Sequence, residues 1–170
     1  MTNALKFLEA VRQGSPAGDE SVAAYWAHQL DMWVTDLREL RSAIRGWLQP
    51  LIDGNAVKVT DVDFPISEPD LGNYMAPGLT IEVLGELPRQ VDVRPRGARV
   101  VGVVETGGAR VVGASGRVDL ECALRREIVL RFRDGGVTNW CSFGGGTKVD
   151  VGEETFFDLL SRVTNIHPEA

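Results

Sequence analysis

The sequence predicts an α+β protein: N-terminal helices including one long amphipathic helix, then an antiparallel β-meander sheet, then a C-terminal helix. Over residues 19–49 the apolar residues recur every three or four positions, which is the spacing of one helix face. From residue 56 onward, short runs alternate between apolar and polar residues and are separated by glycine-rich turns. Because these strand-like runs form one block between helices, the order favours α+β over an alternating βαβ fold.

Size and composition are typical of one globular domain. The chain has 170 residues, of which 44% are hydrophobic and 25% charged. We expect a single domain over 1–170, with a helical part at 1–52, the sheet at 56–151 and the last helix at 153–165. No apolar run approaches the roughly 20 residues that span a bilayer, and the first residues lack the pattern of a signal peptide. These features predict a cytoplasmic protein.

The long helix carries three of the four tryptophans on one apolar seam. Its members are Trp26, Leu30, Trp33, Leu37, Leu40, Ile44, Trp47 and Leu51. The seam can pack on the protein's own sheet, or Trp26, Trp33 and Trp47 can form an interface with a helix from a second chain. Charged residues off the seam, including Asp36, are expected in water. Pro50 is predicted to end the helix, and a shorter helix is predicted over 3–13.

The strand region contains two irregularities and a repeat. A change of alternation near 60–61 predicts a bulge, and the turn formers of 67–78 predict a long loop. The segment ARVVG occurs at 98–102 and again at 109–113, which suggests a duplicated hairpin that protrudes at one sheet edge. The glycine-rich segments 113–116, 133–136 and 144–146 are all predicted to be hairpin turns.

Charge is distributed unevenly along the chain. The net charge is −6, yet residues 89–133 hold ten arginines against five acidic residues. A basic segment can bind nucleic acid or another anion. It can equally meet the acidic helix of its own chain or remain solvated, and we favour this second interpretation.

The sequence contains no recognisable catalytic or metal-binding pattern. His28 and His167 are expected to be exposed, and Cys122 and Cys141 to be free and buried, since two cysteines make neither a disulfide framework nor a closed zinc site. The glycine-rich segment 144–148 lacks the spacing of a phosphate-binding loop. We therefore expect no metal and no cofactor.

A few polar residues remain as candidate binding residues. Tyr74 lies in the predicted loop, and a loop of that length is sometimes functional. Four residues on adjacent predicted strands could form a small anion pocket, or could be ordinary surface residues: Arg117, Asp119, Arg131 and Arg133. The preferred hypothesis is a non-enzymatic interaction or accessory module, which forms a homodimer or contacts another protein partner through the tryptophan-rich helix. Anion or nucleic-acid binding is the alternative, and an enzyme with a pocket near 67–78 is the third.

Several blocks together resemble a family of small uncharacterised bacterial proteins. They are IRGWLQPL at 44–51, LGNYMAPGLTIEV at 71–83, GASGRVDL at 113–120, a strand closing on Trp140, and EETFFDLLSRV at 153–163. The resemblance covers roughly residues 26–163 and implies this fold in a bacterial cytoplasm, without implying an activity or a ligand. The second copy of ARVVG departs from that family, which has a single strand leading into GASGRVDL.

Overall fold

A computed structural model describes residues 4–5, 16–100 and 102–168 of the chain. The elements confirm the α+β fold with its N-terminal helix, meander-like antiparallel sheet and C-terminal helix. The predicted helix over 3–13 lies almost entirely outside the described residues. The elements are α1 (Pro16–Asp53), β1 (Val57–Glu68), β2 (Gly72–Val83), β3 (Arg89–Gly97), β4 (Val104–Thr106), β5 (Ala109–Val111), β6 (Arg117–Cys122), β7 (Arg125–Asp134), β8 (Val137–Gly144), β9 (Thr147–Asp150) and α2 (Glu153–Thr164).

Helix α1 continues through Pro50 for one more turn, so the prediction that Pro50 ends it is wrong. Proline removes the hydrogen bond to the carbonyl four residues earlier and usually breaks a helix. Here Leu51 and Ile52 pack against the main core and hold the last turn in place. The helix then closes on backbone bonds from Gly54 N–H to Pro50 O at 3.1 Å and from Ala56 N–H to Leu51 O at 2.9 Å.

The main sheet has seven antiparallel strands in the order β1-β2-β3-β6-β7-β8-β9. Strands β3 and β6 are direct neighbours, so the β4–β5 hairpin is an insertion between them. This insertion contains the repeated ARVVG segments. In the second copy Ala109–Val111 form β5, whereas the described residues of the first copy, 98–100 and 102, lie outside any strand. The turns at 133–136 and 144–146 join β7 to β8 and β8 to β9 as predicted. Segment 113–116 is not a hairpin turn, because it leads from β5 into β6.

The inserted hairpin folds across the sheet face opposite the helices, which we call the outer face. Val111 and Ala114 form a small second core there with Leu130 of β7. At the hairpin tip, Gly107 O accepts a hydrogen bond from Gly146 N–H at 2.7 Å. A Cβ atom on Gly107 would lie 1.4 Å from the carbonyl oxygen of Phe143, so only glycine permits this contact. The prediction that the hairpin protrudes at a sheet edge is therefore wrong.

Residues 67–78, which were predicted to form a loop, instead belong to a hairpin of the two long strands β1 and β2. Strands β1 and β2 pair without interruption from Val57 opposite Val83 to Glu68 opposite Gly72, so there is no bulge near 60–61. Val59 and Ile66 are an odd number of positions apart, so a flat strand would place them on opposite faces, yet both pack against the main core. With a continuous register, this means that the two strands twist together and exchange faces along their length.

The main core lies between the helices and one sheet face, which we call the helix-covered face. The most deeply buried apolar residues described on α1, at most 7% exposed, are Trp33, Leu37, Leu40, Ile44 and Leu48. They pack against sheet residues such as Leu79, Ile81, Val93 and Leu120, while α2 adds Phe156 and Leu159. The apolar seam is thus confirmed as a packing surface for the protein's own sheet. No helix among the described residues is long and apolar enough to cross a membrane.

Two of the three seam tryptophans are engaged within the chain. Trp33 is fully buried, and its ring lies 6.0 Å from that of Trp140. Trp47 packs on Phe156, with ring centroids 5.6 Å apart. This burial removes Trp33 from the set of residues that could contact a partner protein. Trp26 is different, because it lies on the part of α1 that precedes the first deeply buried residue.

Candidate functional site

The four polar strand residues proposed as one anion pocket lie on opposite faces of the sheet. In β6, Val118 and Leu120 enter the main core, so Arg117 and Asp119 between them point to the outer face. In β7, Val129 enters the main core, and the alternation places Arg131 and Arg133 on its side of the sheet. The four residues therefore cannot line a single pocket, and the sequence-based grouping is wrong.

On the helix-covered face, Arg131 and Arg133 bind the carboxylate of Asp36. Their guanidinium nitrogens each lie 2.8 Å from Asp36 Oδ2, and the Thr138 hydroxyl donates to the same oxygen at 2.9 Å. Asp36 is only 7% exposed, so the expectation that it stays in water is wrong. Arg131 also donates from Nε to Ser115 O at 2.9 Å and lies over the Trp33 ring. Burial lowers the pKa of Arg131, which the charge of Asp36 opposes. We interpret this cluster as an anchor between α1 and the sheet.

Tyr74 also has an internal role. Its hydroxyl accepts a hydrogen bond from Trp33 Nε1 at 3.0 Å and donates one to Glu68 Oε2 at 2.5 Å. The Glu68 carboxylate in turn accepts the backbone N–H groups of Ala98 at 3.2 Å and Arg99 at 2.9 Å. Burial, followed by the hydrogen bond and charge of Glu68, raises the pKa of Tyr74. Tyr74 thus connects helix α1 to the start of the insertion.

A cluster of arginines surrounds Asp119 on the outer face. The Asp119 side chain is fully buried and receives Arg96 Nε at 2.9 Å and Arg117 Nε at 2.8 Å. Arg117 adds a second bond from Nη2 at 3.1 Å. Arg126 stays farther away, at 3.8 Å from Asp119 Oδ2. Glu121, next along this face of β6, forms ion pairs with Arg94 and Arg96. One buried carboxylate therefore fixes the direction of at least two guanidinium groups.

These arginines line an open cavity of about 370 Å³, which we call the arginine pocket. Its cationic residues are Arg96, Arg99, Arg117 and Arg126. Its apolar residues are Val100, Val103, Val104 and Ile128, and the lining is completed by Gly97 and Glu105. Most of the apolar wall comes from the insertion, which closes over the strands. The sheet thus supplies three of the four arginines, and the inserted segment supplies three of the four apolar residues.

Free hydrogen-bond donors remain in the arginine pocket. A guanidinium carries five N–H donors, and Arg117 uses only Nε and Nη2 on Asp119. Among the described residues, Arg126 has no carboxylate oxygen within hydrogen-bond distance, and its side chain is 53% exposed. At the rim, Arg99 forms an ion pair with Asp70, and its guanidinium carbon lies 5.1 Å from the Trp26 ring centre. Arg117 and Arg126 are thus the donors best placed to bind an anion.

The sequence identified the arginine-rich segment but not this pocket. Eight of its ten arginines form ion pairs with carboxylates of the chain: Arg94, Arg96, Arg99, Arg110, Arg117, Arg126, Arg131 and Arg133. Contact with the chain's own acidic helix was part of the favoured interpretation, and only Arg131 and Arg133 make it, through Asp36. The other six pair with carboxylates of the strands and turns, which the interpretation did not include. Arg96 and Arg126 were missed because a net charge does not reveal which strands become neighbours across an insertion.

A second surface lies on the N-terminal half of α1, before Trp33. Val22 is 57% exposed and Tyr25 is 54% exposed. The ring of Trp26 contacts that of Tyr25 edge-on, with centroids 4.9 Å apart, and remains partly exposed. We call Val22, Tyr25 and Trp26 the exposed helix face. It leaves apolar side chains in water on a helix that elsewhere buries them.

Other chemistry finds little support in the part of the chain that the structure describes. Cys122 and Cys141 are free and buried, as predicted, and His28 and His167 are exposed. Within those residues, no group of three His, Cys, Asp or Glu side chains could hold a metal ion. Comparison with known proteins finds no matching family model, no matching curated protein and no matching solved structure. The function must therefore be argued from the residues of the arginine pocket and the exposed helix face.

Proposed function

We propose that the protein binds a small organic anion in the arginine pocket without transforming it. The observation that carries this proposal is the convergence of Arg96 and Arg117 on the buried carboxylate of Asp119, with Arg126 beside them and incompletely paired. Guanidinium groups match the planar geometry of carboxylates and phosphates and form strong, charge-assisted hydrogen bonds.

Preorganisation supports this role. Holding two guanidinium groups on a buried partner reduces the side-chain entropy that is lost when a ligand binds. Within the lining, Glu105 is the one carboxylate, and its side chain is 79% exposed and 3.8 Å from Arg110. A highly exposed carboxylate is poorly suited to act as a tuned general base. The lining thus favours binding over catalysis.

Nucleic-acid binding receives less support from the same residues. A nucleic-acid surface usually presents basic side chains along an extended track. Here the arginines are divided between two sheet faces, and Arg131 is 2% exposed beneath the helix. The free donors converge in one pocket instead, which suits a compact ligand.

Isothermal titration with hexanoate and with inorganic phosphate tests the proposal on two variants. Arg126→Ala removes the least paired donor of the pocket and is expected to weaken binding at least tenfold, since a hydrogen bond to a charged group contributes about 1.5–3 kcal/mol. Arg125→Ala is the matched control. Arg125 is adjacent in sequence but donates to Arg162 O, at the end of α2. Equal weakening by both variants, or no binding of either ligand to the wild type, would contradict the proposal.

A second candidate function is protein contact through the exposed helix face, with a second copy of the chain as the simplest partner. It is favoured by the exposure of Val22 and Tyr25 beside the partly exposed Trp26. Aromatic residues of this kind are common at the centres of protein interfaces. Most residues of the apolar seam pack within the protein itself, so only its N-terminal portion, at the exposed helix face, is available to contact a partner.

Size-exclusion chromatography with light scattering tests this second candidate at micromolar concentration. The wild type is expected to form a dimer, and Tyr25→Asp is expected to dissociate it by placing a charge in the interface. Leu124→Asp is the control, because Leu124 is fully exposed at the distant β6–β7 turn. A wild type that remains monomeric throughout, or a dimer that both variants disrupt equally, would exclude this interface.

A further inference from the structure

The arginine pocket has two chemically different sides, and this division indicates the class of its ligand. We propose that the ligand is an amphipathic monoanion: an organic carboxylate with one charged head and a compact apolar body. This inference rests on the proposed function and narrows it. The head would bind Arg117 and Arg126, and the body would lie against the valines of the insertion and Ile128.

The pocket lining changes from polar to apolar between two neighbouring residues on the same face of β7, Arg126 and Ile128. Arg126 and Ile128 project from the same face of β7, since alternate residues of a strand share a face. Both line the pocket, together with Val103 and Val104 of the insertion. Val103 is 45% exposed, so its side chain offers apolar surface that a ligand could cover. A ligand held by its head at Arg126 would therefore place its body on an apolar wall.

Charge on the opposite wall selects against a second anionic group. The insertion carries Glu105 next to Val104, and Glu105 lines the same cavity. A dianion with charges at both ends would bring its second charge toward this carboxylate, which repels it, and against the apolar wall, where loss of hydration costs free energy. Asp119, already buried under the arginines, further limits the negative charge that the site can accept. One anionic head matches this arrangement best.

The size of the cavity agrees with a compact ligand. Its volume of about 370 Å³ is near the lower limit of small-molecule sites, which occupy about 300–1,000 Å³. Inorganic phosphate would leave the apolar wall in water. A carboxylate with a short hydrocarbon body would cover that wall, and each buried methylene is expected to strengthen binding about fourfold.

The rim of the pocket supplies an optical signal. Arg99 lines the cavity and also lies over the Trp26 ring. An anion that attracts the Arg99 guanidinium would alter this contact and change the fluorescence of Trp26. Trp26→Phe should abolish the fluorescence change while leaving calorimetric affinity nearly unaffected, because Trp26 does not line the pocket.

The test is a calorimetric series on the full chain with acetate, butanoate, hexanoate, adipate, 1-hexanol and inorganic phosphate. We expect affinity to rise from acetate to hexanoate, and hexanoate to bind at least tenfold more tightly than adipate, hexanol or phosphate. Val103→Ser should reduce the dependence on chain length without weakening acetate. Val112→Ser is the control, because Val112 is exposed on the same insertion outside the pocket lining.

The possible outcomes separate the two levels of the argument. If all six compounds fail to bind, both the proposed function and the inferred ligand class are wrong. If acetate, phosphate and adipate bind as tightly as hexanoate, anion binding stands and the amphipathic class is overturned. If hexanol matches hexanoate, the site recognises the apolar body alone, and the role assigned to Arg117 and Arg126 is overturned.

Discussion

Among the carboxylates of α1 whose side chains the structure describes, the loss of Asp36 by replacement with alanine should destabilise the protein most. Asp36 Oδ2 accepts bonds from Arg131, Arg133 and Thr138 at 2.8, 2.8 and 2.9 Å. Arg131 is 2% exposed, so its guanidinium cannot reach bulk water when the carboxylate is removed. The variant would leave a buried cation without its counter-charge.

The expected loss is about 3–5 kcal/mol, which is typical of removing one partner from a buried ion pair. Arg133 contributes less to this loss, because its side chain is 24% exposed and can be partly hydrated. A domain of this kind has a total stability of about 5–15 kcal/mol. The variant should therefore unfold at a much lower denaturant concentration, or fail to fold at physiological temperature.

Urea unfolding followed by circular dichroism measures this loss, with Asp31→Ala as the matched control. Asp31 is an exposed aspartate on the same helix, and its removal should change the unfolding free energy by less than about 0.5 kcal/mol. The double variant Asp36→Leu/Arg131→Met should recover much of the stability, because replacing a buried pair with apolar residues is often nearly neutral. A loss below 1 kcal/mol in Asp36→Ala would refute the argument that this cluster anchors the helix.

Three further outcomes follow from other contacts. The pKa of Tyr74 is raised in the folded state. The stability that this group contributes is therefore complete below the ordinary tyrosine pKa of about 10 and declines as pH rises above it. Urea unfolding of the wild type and of Tyr74→Phe at pH 8 and 10.5 should show the steeper decline in the wild type. Gly116→Ala should lower the unfolding free energy by about 1–3 kcal/mol, because the added Cβ would lie 2.3 Å from the fully buried Trp33 ring. Gly144→Ala is the control, because a Cβ there meets no atom within 4 Å. Equal unfolding free energies for the two variants would contradict the steric argument. Burial raises the pKa of the Cys141 thiol, and the charge of Lys148 opposes this shift. A thiol-specific disulfide reagent at pH 8 should therefore modify this cysteine far more slowly in the native protein than in urea. Equal rates would show that Cys141 is accessible to the reagent in the native protein.

The sequence was most informative where one physical pattern dominated a segment. The seam from Trp33 to Leu51 and the alternation of β6 identified the helix, a central strand and their buried faces, because spacing alone determines which residues share a face. The alternation of β7 identified the strand but not the face that meets the main core, since Val129 enters that core and Leu130 enters the small second core. The turn at 133–136 was equally clear, since Gly135 and Gly136 both adopt positive φ. Such local signals do not depend on distant parts of the chain.

Errors occurred where tertiary contacts overrode local chemistry. The turn formers between 67 and 78 suggested a loop, yet continuous pairing of β1 with β2 confines the turn to residues 69–71. Gly78 is needed there for packing, since a Cβ at this position would lie 2.5 Å from the Phe64 ring. Asp36 looked like a surface residue because its partners, Arg131 and Arg133, lie almost a hundred positions away. Their positions could not be deduced without knowing that β7 packs near this part of the helix.

The placement of the insertion has a consequence for how this site could have arisen. Strands β3 and β6 would be adjacent with or without the intervening hairpin, and lengthening a loop adds little entropic cost. The valines of the apolar wall can therefore be gained or lost together with the insertion while the meander beneath keeps its strand order. A chain without the inserted hairpin would retain the sheet and the arginines around Asp119, and Ile128 alone would remain of the apolar wall.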